Sequence, residues 1–306
     1  MSILVDERTR VVIQGITGRE GAARAALMKE YGTKVVAGVT PGRKGQSVEG
    51  IPVFDSVAEA WREAGPLNVS VIFVPAPLVK NAAMEAMDAG VKLVVIVADR
   101  VPLWDAIDLA AFARSRGARF VGPNTLGVIS AGKALLGMIG GRASYAREWF
   151  KPGSIGVISR SGGMTSAMSY YTVQAGFGIS TAVHVGGDSI IGLREADVLR
   201  EFQDDPETTG VVLFGEIGSS QEEDVARLVQ EGVVTKPIVA YIGGRAAKAG
   251  TRFSHAGAIV EGDRGSYPSK VRTLRAAGIQ VAESFDETFE LARETFGPAA
   301  PEAAAS

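Results

Sequence analysis

The strongest constraint on the fold is an alternation of short apolar runs with amphipathic segments, which continues along nearly the whole chain. The apolar runs of the first half are rich in β-branched residues, as in strands that are buried on both faces of a parallel sheet. They are RVVIQG, KVVAGVT, VSVIFVPA, KLVVIVAD and ARFVGPN. The segments between them have helical spacing, and each closes on a glycine suited to a helix end. This pattern predicts an α/β fold with a doubly wound parallel sheet.

The alternation stops near residue 130 and restarts near residue 154, which predicts a second doubly wound sheet. The apolar runs of the second half are SIGVISRSG, ISTAVHVGGD, GVVLFGEIG, KPIVAYIGG and IQVAES. Between the two halves the sequence has no clear period. We therefore predict a Rossmann-like domain over 1–129, a connector over 130–153, a second parallel-sheet domain over 154–296 and a disordered tail over 297–306.

Composition excludes several classes of protein. The 32 basic and 34 acidic residues give a net charge of −2, so neither nucleic acid nor an anionic membrane is an expected partner. The chain has no cysteine and two histidines, which excludes disulfides and thiol nucleophiles and makes a metal site unexpected. The N-terminal segment does not resemble a signal peptide, and no apolar run is long enough to span a membrane. We expect a soluble, cytoplasmic protein.

The turn GITGREG follows the first predicted strand and opens the first predicted helix. Its glycines would let the backbone approach a ligand, and N–H groups at a helix start favour phosphate. No acidic residue follows the second strand, where a ribose-binding carboxylate would lie; Arg43 and Lys44 are found there instead. Basic residues at this point suit a phosphorylated ribose, as in CoA or NADP. A purely structural glycine turn is the alternative.

Three later turns carry polar groups at predicted strand ends. In SRSGGM, Ser161 and Gly162 begin a helix and form a second candidate anion site, although an N-cap serine is the alternative. In GPNTLG, Asn124 offers an amide to a carboxylate or phosphate. Glu216 follows the run GVVLFGE, where it is either solvated or placed to orient a histidine.

His255 lies in the stretch TRFSHAGAI, among small residues in a predicted loop. The loop setting argues against a core histidine, and the absence of further soft ligands argues against a metal ligand. Near an anion site, and with a carboxylate to fix its tautomer, a histidine can act as a nucleophile toward phosphate. The other histidine, His184, lies within a predicted strand, and we expect a structural role for it.

Taken together and in this order, these motifs resemble the α subunit of succinyl-CoA synthetase and the NDP-forming acyl-CoA synthetases. The stretches that carry the resemblance are MSILVDERTRVVIQGITG, YGTKVVAGVTPG, GIPVFDSVAEA, GPNTLGVIS, GVISRSGGM, GEIGSSQEE and HAGAI. The resemblance implies a CoA-binding Rossmann-like domain followed by a flavodoxin-like ligase domain. It also implies a β subunit with an ATP-grasp domain that binds ATP or GTP with magnesium, and a small carboxylic acid as substrate.

The resemblance further implies roles for individual residues. His255 would carry the phosphoryl group transiently, Glu216 would contact it, and Ser161 and Gly162 would bind phosphate. Asn124, Thr125 and Ser166 stand at substrate positions. The CoA contacts would come from Thr17, Gly18, Arg19 and Glu20, from Arg43, where the family usually has lysine, and from Val97, Ala98 and Asp99.

The sequence departs from the succinate-specific pattern where the acid binds. The usual SRSGTLTYE is SRSGGMTSA here, so that Ser166 replaces the tyrosine that contacts substrate and Ala167 replaces a glutamate. The usual GPNCPG is GPNTLG. Succinate is the expected acid, with malate, citrate or another carboxylate as alternatives. A CoA-binding subunit without turnover and an NADP-dependent oxidoreductase are the competing functions; no tyrosine is followed four residues later by the lysine that the latter needs.

Overall fold

The computed structural model describes residues 2–246 and 265–297, and its first half forms a seven-stranded sheet. The strand order is β3-β4-β2-β1-β5-β6-β7. All described neighbours in this sheet are parallel except β3 and β4. The strands are β1 (Arg10–Gln14), β2 (Lys34–Val39), β3 (Ser47–Val48), β4 (Ile51–Phe54), β5 (Val69–Ile72), β6 (Leu93–Ile96) and β7 (Arg119–Val121).

Helices cover both faces of this sheet, as the alternation predicts. They are α1 (Arg19–Tyr31), α2 (Val57–Ala64), α3 (Val79–Asp88) and α4 (Leu103–Ser115), with a short 3₁₀ turn at Ala76–Leu78. The glycines predicted to end them, Gly32, Gly65, Gly90 and Gly117, all have positive φ. A backbone in that region favours glycine over residues with a Cβ, so the sequence marks these helix ends correctly.

The second half forms another seven-stranded sheet, in the order β14-β13-β12-β10-β11-β8-β9. Its strands are β8 (Gly127–Ser130), β9 (Ala134–Gly137), β10 (Pro152–Ser159), β11 (Ile179–His184), β12 (Gly210–Glu216), β13 (Ile238–Gly243) and β14 (Gln280–Ala282). Its helices are α5 (Ala143–Trp149), α6 (Gly162–Gln174), α7 (Glu195–Asp204), α8 (Gln221–Gln230), α9 (Tyr267–Ala276) and α10 (Glu287–Phe296).

The stretch 130–153 is more regular than the sequence predicts. It contains β9 and α5, and β8 and β9 form a hairpin whose first strand pairs antiparallel with β11. The second sheet is therefore mixed rather than purely parallel. Both strands of the hairpin have only four residues, are buried on both faces and are flanked by glycine, so they show no alternation that sequence analysis could detect.

The two halves are joined through the main chain around Gly122. The N–H of Gly122 donates to Val185 O at 3.0 Å, and Gly122 O accepts from Gly192 at 2.9 Å. One apolar cluster also contains core residues of both sheets, among them Ile13 and Val157. The carboxyl ends of β7 and β11 consequently meet. None of the described helices is long and apolar enough to cross a bilayer.

Candidate functional site

The turn after β1 brings the backbone close to two other strand ends. Gly15 has φ +80°, and its N–H donates to Val39 O at 2.8 Å. A Cβ at Gly21 would lie 2.2 Å from Gly15 O, so the start of α1 can pack on this turn only without a side chain there. The glycines of GITGREG therefore have a clear steric purpose, and the turn leaves N–H groups of the α1 first turn at the edge of the sheet.

The predicted ligand-binding residues of the first turn lie at this edge. Thr17 Oγ1 donates to Thr40 Oγ1 at 3.1 Å, which ties the turn to the end of β2. Gly18 is the N-cap of α1, and the side chains of Arg19 and Glu20 extend into solvent. The edge is polar, open and tied together by its own hydrogen bonds.

The loop after β2 carries two exposed basic side chains, of which one is paired with carboxylates. Asp55 accepts the N–H groups of Arg43 and Lys44 at 3.0 and 3.1 Å, which fixes the loop backbone. The ammonium of Lys44 pairs with Glu59 and Glu63. Arg43 is exposed, and within the described ranges its guanidinium makes no ion pair. Arg43 is thus the cation of this loop that is available to an anionic ligand.

The strand end at Val97, Ala98 and Asp99 adjoins the turn that contains Asn124. Asn124 has φ +62°, and its N–H donates to Ala98 O at 2.8 Å. Asp188 of the second half accepts the Val101 N–H at 3.2 Å. Burial raises the pKa of Asp188, while N–H groups of Arg100 and Val101 and the Asn124 amide oppose that rise. Three polar segments from both halves therefore meet at this point.

Thr125 is buried, and its hydroxyl is used inside the protein. Its Oγ1 donates to His184 O and accepts the Gly127 N–H at 2.9 Å. The structure therefore assigns the Thr125 hydroxyl to holding the turn, whereas Asn124 lies beside the strand end of the first half. A ligand contact from Thr125 stays a prediction, and the described hydroxyl bonds do not favour it.

The start of α6 lies against the same turn. Ser161 is the N-cap residue, but its side chain makes no capping hydrogen bond within the described residues, so the simple N-cap interpretation does not hold. A Cβ at Gly162 would lie 2.6 Å from Leu126 Cγ, which places the helix start directly on the turn at Asn124–Leu126. The predicted anion site and the predicted acid-contacting turn are thus adjacent.

Ser166 lines a cavity of about 430 Å³ on the side of α6. The other lining residues are Glu148, Trp149, Gly163, Ala167 and Tyr170. A tyrosine and glutamate at 166 and 167 would project from the same stretch of helix, so the small residues found there leave this space open.

Glu216, at the end of β12, is held by a buried arginine. Arg160 Nη1 donates to Glu216 O at 3.0 Å and to Gly218 O at 3.1 Å. Arg160 Nη2 lies 3.6 Å from Glu216 Oε1, and the arginine side chain is 4% exposed. Glu222 Oε1 accepts both the Glu216 N–H at 2.8 Å and Arg160 Nη1 at 3.2 Å. The Glu216 turn is therefore bonded through both its N–H and its carbonyl.

Lys270 completes this buried charge cluster. Its ammonium pairs with Glu222, donates to Ser219 O at 3.1 Å and lies 2.8 Å from Glu223 Oε2. Burial alone would raise the pKa of Glu222, but Lys270 and Arg160 outweigh that effect and lower it. Glu222 is consequently a buried carboxylate that depends on two cations.

Glu195, the first residue of α7, is a fully buried carboxyl group of a different kind. Neither of its side-chain oxygens makes a hydrogen bond within the described part of the chain. Burial, and then the negative charge of Glu222, raise its pKa well above the usual value, against the opposing effect of Arg160. Glu195 is accordingly a neutral acid beside the charged cluster.

We expect Glu195→Gln to stabilise the protein increasingly as pH rises above the usual pKa of a glutamate, up to the raised pKa of Glu195. A carboxyl whose pKa is raised by folding holds its proton in the folded chain after the unfolded chain has lost it. Stability then falls as pH rises above the unfolded pKa, by at most about 1.4 kcal/mol per pH unit. Glutamine cannot ionise, so this loss disappears. Urea unfolding at several pH values measures it; parallel pH profiles for both proteins would contradict the expectation.

His184, in contrast to the nucleophile candidate, is buried in β11 with both ring nitrogens bonded. Nδ1 accepts the Leu126 N–H at 2.8 Å, so Nε2 carries the proton and donates to Arg160 O at 3.1 Å. This agrees with the structural role expected for it. His255 lies outside the described residues, and so does the predicted tail apart from Gly297.

Sequence reasoning missed the residues that hold the site together, namely Arg160, Asp188, Glu195, Glu222 and Lys270. Arg160 stands inside the SRSGGM motif, directly before Ser161. Its charge at the end of a buried strand is the sequence signal that could have marked it as part of the site. Nothing in the sequence around Lys270 distinguishes it from other helical lysines.

Two family models match separate parts of the chain. Residues 6–99 match the CoA binding domain, and residues 152–294 match the succinyl-CoA ligase like flavodoxin domain. The chain is 48% identical over 294 residues to subunit alpha 2 of the ADP-forming succinate–CoA ligase of Archaeoglobus fulgidus, covering 96% of this chain and 99% of that one. The chain belongs to the succinate–CoA ligase α-subunit family. The resemblance inferred from the motifs is confirmed.

This family also contains relatives with another acid in their names. The chain is 44% identical over 297 residues to a subunit of the ADP-forming sulfoacetate-CoA ligase of Bilophila wadsworthia, covering 97% of this chain and 100% of the relative. Among solved structures, the ATP citrate lyase of Methanosaeta concilii with (3S)-citryl-CoA superposes with a TM-score of 0.88 at 25% identity. That match covers 96% of this chain, which spans half the length of the lyase chain.

Proposed function

We propose that this chain is the α subunit of an ADP-forming acid–CoA ligase that requires a β subunit. This proposal rests on the 48% identity of the chain, over nearly the full length of both proteins, to an ADP-forming succinate–CoA ligase α subunit. The reaction joins a carboxylic acid and CoA at the expense of ATP, releasing ADP and phosphate. We further propose that the β subunit binds the nucleotide with magnesium, and that the complex works in the cytoplasm, where its co-substrates are found.

In this proposal the first half binds CoA at the edge formed by its strand ends. The N–H groups at the start of α1, with Thr17 and Gly18, would hold phosphate, as helix starts do. Arg43 would pair with another phosphate of CoA, because it is exposed and, unlike Lys44, makes no ion pair within the described ranges. Val97, Ala98 and Asp99 lie beside the Asn124 turn, so CoA contacts there would lead toward the second half.

The second half would perform the phosphoryl steps. A phosphoryl group passes from ATP to a histidine nitrogen, then to the carboxylate of the acid, and the CoA thiol displaces phosphate from the acyl phosphate. Ser161 and Gly162 would hold the phosphoryl group at the start of α6, where N–H groups and the helix dipole favour anions. Glu216 would accept a hydrogen bond from His255 and so fix which nitrogen attacks.

Succinate is the acid we propose first, because the relatives that are 48% and 46% identical to this chain carry that name. Sulfoacetate is the second candidate, since a sulfoacetate-CoA ligase subunit matches this chain over its whole length. Both acids carry two anionic groups on a short chain. The open space beside Ser166 and Ala167 leaves room for an acid other than succinate.

The test is phosphorylation and discharge of the assembled complex. The chain is co-expressed with a succinate–CoA ligase β subunit from the same organism, and the complex is incubated with γ-labelled ATP and magnesium. Acid-labile, base-stable label is expected, and CoA with the correct acid should remove it. Succinate, sulfoacetate, malate and citrate are compared at equal concentration. A folded, CoA-binding complex that takes no label would contradict the ligase and favour a CoA-binding subunit without turnover.

We expect Gly21→Ala to weaken CoA binding at least about tenfold, which corresponds to about 1.4 kcal/mol. The added methyl group would lie 2.2 Å from Gly15 O, so the turn and the start of α1 must separate. Calorimetric titration of the purified chain with CoA measures the change. Glu30→Ala, in the last turn of the same helix, is the control and should bind CoA as the wild type does. Equal affinities for Gly21→Ala and the wild type would remove this turn from the CoA site.

A further inference from the structure

Arg160 connects the ends of three neighbouring strands in the second sheet. It directly follows β10, and its N–H donates to Phe214 O of β12 at 3.3 Å. Its carbonyl oxygen accepts from His184 Nε2 at the end of β11. Its side chain then reaches the carbonyl oxygens of Glu216 and Gly218. One residue thus links the start of α6 to the turn that carries Glu216.

The turn at residues 216–219 bonds the main chain on both sides of the segment that contains His255 in the sequence. The N–H of Ile217 donates to Gly243 O at 3.3 Å, at the end of β13. The N–H of Gly218 donates to Gly265 O at 2.8 Å, where the described chain resumes. Lys270, just beyond, donates to Ser219 O at 3.1 Å. These bonds fix where that segment leaves the sheet and where it returns.

The charges of this cluster balance around Arg160. The guanidinium and the Lys270 ammonium are two buried cations, and Glu216 and Glu222 are their two nearest buried anions. Glu222 bonds the Glu216 N–H as well as Arg160, so Glu216 is held from two sides. A buried arginine with several main-chain acceptors has little freedom to move, because its planar donors fix the geometry of each acceptor.

We propose that Arg160 is the positioning residue for phosphoryl transfer. It fixes the Glu216 turn, and through that turn the ends of the His255 segment, relative to the phosphate-binding start of α6. The inference rests on the proposed function and adds to it a residue that itself touches neither substrate nor nucleotide. Glu222 supports Arg160 in this role, and Lys270 supports Glu222.

The test compares Arg160→Lys and Arg160→Met in the assembled complex. Arg160→Met removes every side-chain donor of this residue. A misplacement of reacting groups by about 1 Å lowers a rate by about 100-fold, so we expect label from ATP to form roughly 30- to 100-fold more slowly. Arg160→Lys keeps the charge but cannot reach all the acceptors, and should fall between Arg160→Met and the wild type. The affinity for CoA, measured by calorimetry, and KM for ATP should stay within about twofold of wild type.

A double-variant cycle separates positioning from a general loss of structure. Arg160 holds both the carboxylate and the main chain of the Glu216 turn, so Arg160→Lys combined with Glu216→Gln should label faster than the product of the two separate losses predicts. Additive losses would mean that Arg160 does not act through Glu216 and would overturn the proposal. Lys236→Met is the matched control, since Lys236 also donates to two main-chain carbonyls of this half, Phe202 O at 2.6 Å and Asp205 O at 2.5 Å.

The outcomes for the two proposals differ. A labelled wild-type complex with Arg160→Met and Arg160→Lys labelling at the wild-type rate would overturn the positioning role alone. A wild-type complex without label would overturn the proposed function, and this inference with it. If Arg160→Met does not fold, the positioning role is tested by the labelling rate of Arg160→Lys and by its double-variant cycle with Glu216→Gln.

Discussion

We expect a complex carrying His255→Asn to take up no label from ATP, whereas the wild-type complex should form an acid-labile, base-stable phosphoprotein. Asparagine has similar size and polarity but offers an amide nitrogen, whose lone pair is delocalised and is a poor nucleophile. Neutral imidazole has an accessible lone pair, and a carboxylate such as Glu216 can hold the proton on its other nitrogen. The overall ligase activity should fall below detection for the same reason.

The control for this prediction is Ser254→Ala, the neighbouring residue in SHAGAI. Serine is the other conceivable phosphoryl acceptor in this motif, and phosphoserine is stable in acid. Label should persist in Ser254→Ala and keep its acid lability. Label that survives His255→Asn, or that disappears with Ser254→Ala, would reject His255 as the nucleophile. CoA titration of each variant confirms that the first half is intact.

Much of the fold could be predicted because its central strands are buried on both faces and form long β-branched runs. β1, β5 and β6 are largely apolar and rich in buried β-branched residues, and segments of helical pattern separate them. The hairpin of β8 and β9 escaped prediction because its pairing partner, β11, lies about fifty residues away. Short strands gain their identity from such pairing rather than from local preference.

The sequence predicts a candidate site where a turn carries its own signal, as the glycines around the starts of α1 and α6 do. The contacts that support it could not be predicted. Arg160 and Glu222 are 62 residues apart, and Glu222 and Lys270 are 48 apart. In the sequence Glu222 and Lys270 look like ordinary surface charges, since charged residues are mostly exposed. Only the folded chain shows that strands and helices bring them together and exclude water around them.

Lys270→Met should destabilise the protein by about 3 kcal/mol or more, the largest stability loss expected from a single change in this cluster. The methionine fills similar volume but leaves the buried Glu222 carboxylate facing only Arg160. The loss arises from an uncompensated buried charge rather than from a missing attraction, because taking a carboxylate out of water is costly. Urea unfolding, followed by circular dichroism, measures the change in the free energy of unfolding.

The double variant Lys270→Met with Glu222→Gln distinguishes these two causes. Glutamine keeps an oxygen that can accept the Glu216 N–H, but it carries no charge, so much of the lost stability should return. Lys80→Met is the matched control, because Lys80 pairs with Asp105 and Asp108 in partial contact with solvent. It should cost less than about 1 kcal/mol. Equal losses for Lys80→Met and Lys270→Met would mean that burial of the Lys270 pair has no special energetic consequence.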